Sequence, residues 1–217
     1  MIPDITTTPS GPGVFPGRAA ASQPVRRLSR FRAPFEFYPT PPEATRAFLA
    51  AETFDGDIWE PACGQGAIAL ECEQAGYDVV STDLADYGFG EAGLDFLKSE
   101  VPLAKHIVTN PPYGRGLADR FVRHALAMTA KTGGKVAMLL NLASLCDPER
   151  HKSFVARPPV RIYAIDDCVC YPNGDPAQAT QHTRRHRYCW MVWEQTPRVT
   201  TTFHWLTTAP YAQGGQR

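Results

Sequence analysis

The chain has 217 residues, 22 basic and 22 acidic side chains and no net charge. That length fits one domain with a sizeable core. The balance gives no global pull toward nucleic acid or an anionic membrane, although basic clusters stand out locally at Arg18–Arg32 and in HTRRHRY, 182–188. No apolar run approaches the ~18 residues of a membrane span. The opening MIPDITTTPSGPGVFPG lacks the apolar stretch of a signal peptide, so a cytoplasmic protein is expected.

In chain order, residues 1–34 are rich in Pro, Gly, Ser, Thr and Arg and are expected to form a disordered basic arm. A folded domain is expected over 35–195 and a C-terminal tail over 196–217. In YPTPPEATRAFL, Thr40-Pro-Pro-Glu43 reads as a capping box with Pro41 at the first helical position. DIWEPAC reads as a strand, GAIALECEQAG as a helix closed by Gly76, DVVSTDL as a second strand and HIVTN as a third. GLADRFVRHALAMTA is amphipathic, with Leu117, Phe121, Ala125 and Met128 on one face and an i,i+4 pair of Asp119 and Arg123 on another. GGKVAMLLNL is a buried strand after a Gly-Gly turn, a helix is expected over Asp147–Ala156, and VRIYAIDD and YCWMVWE are late strands. This alternation predicts an α/β fold with a mainly parallel sheet, which binds ligands at the carboxyl ends of its strands.

The six cysteines are spread through a chain that needs no staples, so reduced thiols are expected. Cys168-Val-Cys170, with His182, His186 and Cys189 downstream, invites a zinc reading. Structural zinc sites place two or more residues between paired cysteines, and here there is one. No metal site is expected.

The chemistry concentrates at strand ends. In EPACGQGAIAL a strand runs into a Gly-x-Gly turn and a helix, so Gly64 and Gly66 let backbone approach a ligand. Ala69 stands where a dinucleotide fingerprint has its third glycine, and Pro61 precedes the turn, which disfavours an ordinary dinucleotide site. Asp83 follows the second strand about twenty residues past the glycines, the place of an acid that grips ribose hydroxyls. Asp95 is placed to accept from an adenine amino group while Phe96 covers the ring; taken alone, Asp83 reads equally well as a loop acid capping a helix, and Asp95 reads somewhat better as an acid at a helix start.

HIVTNPPYGRG, 106–116, presents an amide and an aromatic ring on either side of two prolines, each with fixed φ and no N–H. An exocyclic amino group on an aromatic ring has a delocalised, weakly nucleophilic lone pair. Two acceptors holding its hydrogens, the Asn110 side-chain oxygen and the Pro111 carbonyl, would draw the nitrogen toward a tetrahedral, reactive form. Pro111 and Pro112 stiffen that backbone, and Tyr113 offers a face on which a flipped base stacks. Positioning a methyl donor in line then supplies much of the rate, with no covalent nucleophile.

Together these segments resemble the class I S-adenosylmethionine-dependent amino-methyltransferases, most closely the phage and prophage DNA N6-adenine methyltransferases, over roughly residues 37–195. The order of cofactor motifs before NPPY is that of the gamma group. The resemblance implies a Rossmann-like fold whose seven-stranded, mainly parallel sheet has its last strand, YCWMVWE, antiparallel. It implies S-adenosylmethionine as cofactor, held by Tyr38, Thr40, Pro41, Glu60, Pro61, Ala62, Cys63, Gly64, Gly66, Asp83, Leu84, Asp95, Phe96 and Asn110. It implies Asn110, Pro111, Pro112 and Tyr113 as the catalytic motif and a flipped adenine in DNA as target. Arg115, Arg150, Lys152, Arg184, Arg185 and Arg187 are expected to meet nucleic acid, where basic side chains hold phosphates. Restriction-type members carry a separate recognition domain; only about forty residues lie between KVAMLLNL and RHRYCWMVW here, so selectivity is either relaxed or resides in YPNGDPAQATQHTRRHR.

Three other readings share the motif. An RNA N6-adenine or N2-guanine methyltransferase would use the same pocket on an unpaired base. A glutamine-amide methyltransferase poses the same lone-pair problem, but those enzymes usually have a helical N-terminal domain where this chain has a Pro-rich arm. A cofactor-binding protein without catalysis would not need Asn110 to Tyr113. Cytosine-C5 chemistry needs a Pro-Cys nucleophile, which is absent; N4-cytosine methylation stays open, although Ser-Pro-Pro-Tyr is its usual motif.

Overall fold

The computed structural model describes residues 36–196 and 200–212. The arm expected over 1–34, with the Arg18–Arg32 cluster, lies outside them, as do the side chains of Arg115 and His182. Two prolines decide how the first helix begins. Pro42 disfavours helical backbone at the residue before it, and Pro41 is extended (φ −57°, ψ 134°), so helix α1 runs Pro42–Ala51 with Pro41 as N-cap. No side chain caps it. The capping box expected from Thr40 and Glu43 does not form, and Thr40 turns its hydroxyl elsewhere, as described below.

Strand β1 (Ile58–Glu60) leads through the glycine turn to α2 (Ala69–Gln74), then β2 (Val79–Asp83) and the two-residue β3 (Glu91–Ala92). A short 3-10 turn, Phe96–Lys98, precedes β4 (His106–Thr109); α3 (Leu117–Thr129), β5 (Val136–Asn141) and α4 (Pro148–Ala156, capped by Asp147) follow. Next come β6 (Arg161–Ile165), α5 (Gln181–Arg185), β7 (Tyr188–Trp193) and β8 (Thr202–Leu206). The strands form one sheet in the order β3-β2-β1-β4-β5-β7-β6-β8. Pairing is parallel throughout except that β7 runs against both β5 and β6. YCWMVW is therefore the reversed strand expected. The sheet has eight strands rather than seven, because TFHWL, within the stretch read as a tail, pairs in parallel with β6 as an edge strand.

β4 and β7 are buried at every residue, and β5 at all but its last. Continuous burial is what strands covered on both faces require. On one face Phe48 of α1 stacks on Trp190 of β7 (centroids 4.5 Å), whose indole N–H donates to the Ala44 carbonyl at 3.2 Å. On the other, Phe121, Ala125 and Met128 of α3 pack over Ile107, Met138 and Met191. Asp119 pairs with Arg150 Nε across the α3–α4 groove at 2.7 Å rather than with Arg123 one turn on.

One charged group is sealed into this frame. Glu52, 4% exposed, accepts from Lys135 Nζ at 2.7 Å, from Arg161 and from the Tyr163 hydroxyl at 2.9 Å. Burial alone would raise its carboxyl; the bonds to Arg161 and Lys135 outweigh burial and hold it below the usual range. A depressed carboxylate stabilises the fold at pH above its unfolded value, and that contribution is lost as pH falls through the folded one. Stability should therefore drop below about pH 4.3, the unperturbed glutamate value. Glu52→Ala, which strands Lys135 and Arg161, should cost about 3–5 kcal/mol in urea unfolding at pH 7 and flatten the acid limb. Equal stability of the two proteins would exclude this role.

Candidate active site

The site is assembled at the carboxyl ends of β1, β2 and β4. After β1 the chain passes through Pro61 and Ala62 into Cys63-Gly64-Gln65-Gly66. Gly64 has φ +53° and Gly66 φ +82°, a region that costs most side chains dearly. A Cβ on Gly64 would stand 2.6 Å from the Phe37 ring, and one on Gly66 would stand 2.7 Å from Phe89. The turn is tied to β2 by Cys63 N–H on the Thr82 carbonyl (3.0 Å). Asp83 completes the tie: Oδ2 accepts from Gly64 N–H and Oδ1 from Ala85 N–H, both at 2.9 Å. Each carboxylate oxygen keeps a further acceptor site. Glu60, at the end of β1, is 2% exposed and accepts from Ala69 N–H at 2.8 Å. The turn's Gly64 N–H and the Ala69 N–H are thus held by carboxylates of this chain rather than aimed together at an anion.

These groups open onto a cavity of about 310 Å³, within the range of small-molecule sites. Of the residues expected to hold a cofactor, Tyr38, Thr40, Glu60, Pro61, Ala62, Cys63, Gly64, Asp83, Leu84, Asp95, Phe96 and Asn110 line it. Pro41 and Gly66 do not; Pro41 caps α1 and Gly66 sits under Phe89. Asp95 caps the 3-10 turn through Leu97 N–H (3.1 Å), with Lys98 Nζ 3.4 Å from its other oxygen. Phe96 is a core ring, edge-on to Trp59 at 5.1 Å, and reaches the cavity wall from there. Burial, then the charges of Glu60 and Asp83, push the Cys63 thiol up to about 12, so it stays protonated and is no nucleophile.

Asn110 enters the same cavity from the end of β4. Its Nδ2 donates to the Tyr38 carbonyl at 2.9 Å and faces Thr40 Oγ1 at 3.2 Å. A backbone carbonyl only accepts, so this contact fixes which end of the amide is nitrogen. Oδ1 then accepts from the Tyr113 hydroxyl at 2.7 Å, and that hydroxyl lies equally close to the Leu139 carbonyl. Burial raises the Tyr113 phenol well above its ordinary value, followed by the effect of neighbouring Tyr188, Cys170 and Cys168, so it remains a donor. Pro112 lines the cavity; Pro111, buried, and Tyr113, half-buried and 6.2 Å from the Tyr188 ring, stand behind it. The hydroxyl end of Tyr113 is an anchor for Asn110, a role the motif alone did not disclose.

Several wall residues lie in no motif. Phe37 stacks on Tyr87 (4.5 Å, 21°) at the cavity, and Leu94, Leu97, Arg120 and Phe121 contribute as well. The basic residues expected to meet nucleic acid divide. Arg184, Arg185 and Lys152 are exposed. Arg187 is exposed but folds back on the Arg184 and His186 carbonyls at 2.8 and 3.0 Å, and Arg150 is bound to Asp119. Leu142 N–H donates to the Arg187 carbonyl at 2.7 Å, which puts the 184–187 segment at the carboxyl end of β5, beside β4 and Asn110. Among the described residues no three His, Cys, Asp or Glu converge on a metal-sized site, and no helix is long and apolar enough to cross a membrane.

A scan against protein-family models finds no match, and neither does a search of curated proteins. Solved structures do match. The modification subunit of a candidate type I restriction enzyme from Vibrio vulnificus YJ016 superposes with TM-score 0.50 at 14% identity, over 78% of this chain and 47% of that one. The EcoKI M protein, a type I restriction enzyme component, gives 0.52 and 14%, over 72% and 44%. A methyltransferase from Pyrococcus furiosus gives 0.50 and 16%, over 77% and 91%. This chain thus spans just under half the length of the two restriction-enzyme subunits. At such identity the likeness is one of fold, and the fold is the Rossmann-like class I methyltransferase fold.

The Tyr113 hydroxyl has a measurable structural value. Tyr113→Phe leaves Asn110 Oδ1 and the Leu139 carbonyl without their shared donor and should cost about 1–3 kcal/mol in denaturant unfolding. A loss under a few tenths would mean that the buried hydroxyl is not what holds Asn110.

Proposed function

We propose that this protein is an S-adenosylmethionine-dependent methyltransferase acting on the N6 amino group of adenine in DNA. The observation that carries the reading is the position of Asn110. Its carboxamide, fixed in polarity by the Tyr38 carbonyl, lies in the wall of the same cavity that Asp83 and the glycine turn form. A methyl donor and an amino acceptor held there would share one space.

The donor set suits that cofactor. Among the described residues, Glu36, Glu60, Asp83 and Asp95 line the cavity against one basic wall residue, Arg120. Such a lining disfavours the pyrophosphate of a dinucleotide and favours a ligand with a cationic end and free hydroxyls. Asp83 would take the ribose hydroxyls on its remaining acceptor sites, Asp95 with Leu84 and Phe96 would bound the adenine, and Glu60 would face the methionine end with Tyr38 and Thr40. When bound, the cofactor supplies an electrophilic methyl group.

The chain's own residues then prepare the acceptor. Asn110 Oδ1 and the Pro111 carbonyl accept the two amino hydrogens and turn the nitrogen lone pair away from the ring. Tyr113 holds Oδ1 in place and leaves it a second acceptor site. Pro111 and Pro112 keep the carbonyl from swinging, so little reorganisation accompanies reaction. The proton released on methylation leaves along these acceptors to solvent. Exposed Arg184 and Arg185, with Lys152, would hold the DNA phosphates, and Arg115 belongs to the same proposal. The likeness to restriction-enzyme modification subunits supports DNA as substrate.

The test is methyl transfer from labelled S-adenosylmethionine to unmethylated duplex DNA, followed by digestion and mass identification of the nucleoside. N6-methyladenine is expected, and Asn110→Ala should abolish it. Label appearing only in RNA or protein would overturn the substrate assignment. Asp83→Ala should weaken S-adenosylhomocysteine binding at least tenfold in calorimetry. Replacing Arg184 and Arg185 with Ala should weaken DNA binding and lower the slope of log K against log salt by about 2, one unit for each lost phosphate contact; an unchanged slope would remove them from the interface.

A further inference from the structure

Among the described residues, the far edge of the sheet is open. β8 pairs with β6 alone, from Arg161↔Thr202 to Ile165↔Leu206. The ladder starts with Thr202 N–H on the Val160 carbonyl (3.0 Å) and ends with Asp166 N–H on the Leu206 carbonyl (3.1 Å). Thr202, His204 and Leu206 are therefore the residues bonded inward. In a two-residue repeat, the N–H and C=O of Phe203 and Trp205 point to the open side, where they have no partner among the described residues. Their side chains leave the sheet on the face that Ile162 shares with α3. Phe203 is 46% exposed and Trp205 80%, and the two rings meet edge to face at 5.0 Å. His204 leaves on the opposite face and stacks on Tyr163 at 4.9 Å.

Edge strands of monomeric proteins are blunted by Lys, Pro, inward charges or bulges. Thr-Phe-His-Trp-Leu has none of these. It has instead a pattern that matches itself. Laid antiparallel on a second copy with a two-fold axis at His204, Phe203 falls opposite Trp205 of the second copy, and Trp205 opposite Phe203. Both are outward-bonding positions, so each pair exchanges both of its N–H···O=C bonds. The four aromatic rings gather on one face as direct cross-strand pairs, a favourable arrangement. The His204 rings, held on Tyr163, stay on the other face.

We propose that β8 is a self-association edge, through which two copies of this chain pair β8 antiparallel and continue the sheet across the interface. The rings offer on the order of 600 Å² in total, short of the ~1,200 Å² of a standard stable interface. The dimer is accordingly weak and concentration-dependent. It is closed by its two-fold axis, so association stops at two copies.

Sedimentation velocity on the full chain over a rising concentration series tests this, with hydrogen exchange on the same samples. A monomer–dimer equilibrium is expected, with the Phe203 and Trp205 amides gaining protection as dimer accumulates. Trp205→Glu should stay monomeric across the series with an unchanged melting temperature. Adding Phe203→Lys to it sets opposite charges across each pair and should restore association that high salt weakens. A wild-type chain monomeric throughout overturns the proposal, as does a dimer that survives Trp205→Glu. Protection of the Trp205 amide independent of concentration would mean that another part of this chain covers the edge, and also overturns it. A double variant that remains monomeric overturns the antiparallel register.

Discussion

The amide of Asn110 joins three separate segments of the chain. Its nitrogen is held by the segment before α1, through the Tyr38 carbonyl and Thr40; its oxygen is held by Tyr113, which is itself anchored to the middle of β5 at Leu139. Because one partner is a carbonyl that cannot donate, the amide has a single orientation. The cost of breaking that orientation would be unsatisfied polar groups in a half-buried place. The position of α1 over the sheet, the end of β4 and the floor of the cavity are thus mutually dependent. Thr40 could not serve both this tie and a helix cap, and Pro42 settles the choice by pushing the helix start past it.

The acids of the site are arranged by a similar economy of backbone groups. Asp83 ties the glycine turn to the loop after β2, and Glu60 ties the end of β1 to the start of α2. Each acid first stabilises the turn that shapes the cavity and then presents what remains of its acceptor capacity. The fold reaches this with little regular structure on that side: β3 is two residues long, and a 3-10 turn stands where a longer crossover helix could lie. Rigidity comes from side-chain-to-backbone bonds there, whereas the centre of the sheet relies on the continuous burial of β4, β5 and β7.

What could be read in the sequence was whatever is local. The strand-turn-helix around Gly64 and Gly66, the strand at Tyr188–Trp193 and the gathering of strand ends all follow from periodicity and turn residues within a short window; that this strand runs reversed came only from the family resemblance. What escaped was set by distant partners. Asp119 has Arg123 one turn away, yet it meets Arg150, thirty-one positions on, because the groove between α3 and α4 brings them together. The Phe37–Tyr87 stack joins two loops with no shared motif. TFHWL sits in a Thr-rich stretch and reads as tail until β6 supplies its ladder. The anchoring of Asn110 by Tyr113 was hidden for another reason: the motif shows a ring beside an amide, and only the fold shows which end of the ring points inward.

The burial of Glu60 carries a consequence for calorimetry. Loss of water around it, opposed in part by the Ala69 N–H and reinforced by Asp83, raises its carboxyl well above the ordinary range. Such an acid keeps its proton to higher pH than a free glutamate, and a positive charge coming to rest against it draws that value back down. Between its empty-cavity and its ligand-bound values, filling the cavity with a cationic ligand is then also the expulsion of a proton to bulk. The heat of binding would include the buffer's heat of protonation, and affinity would rise with pH even though the ligand's own charge does not change.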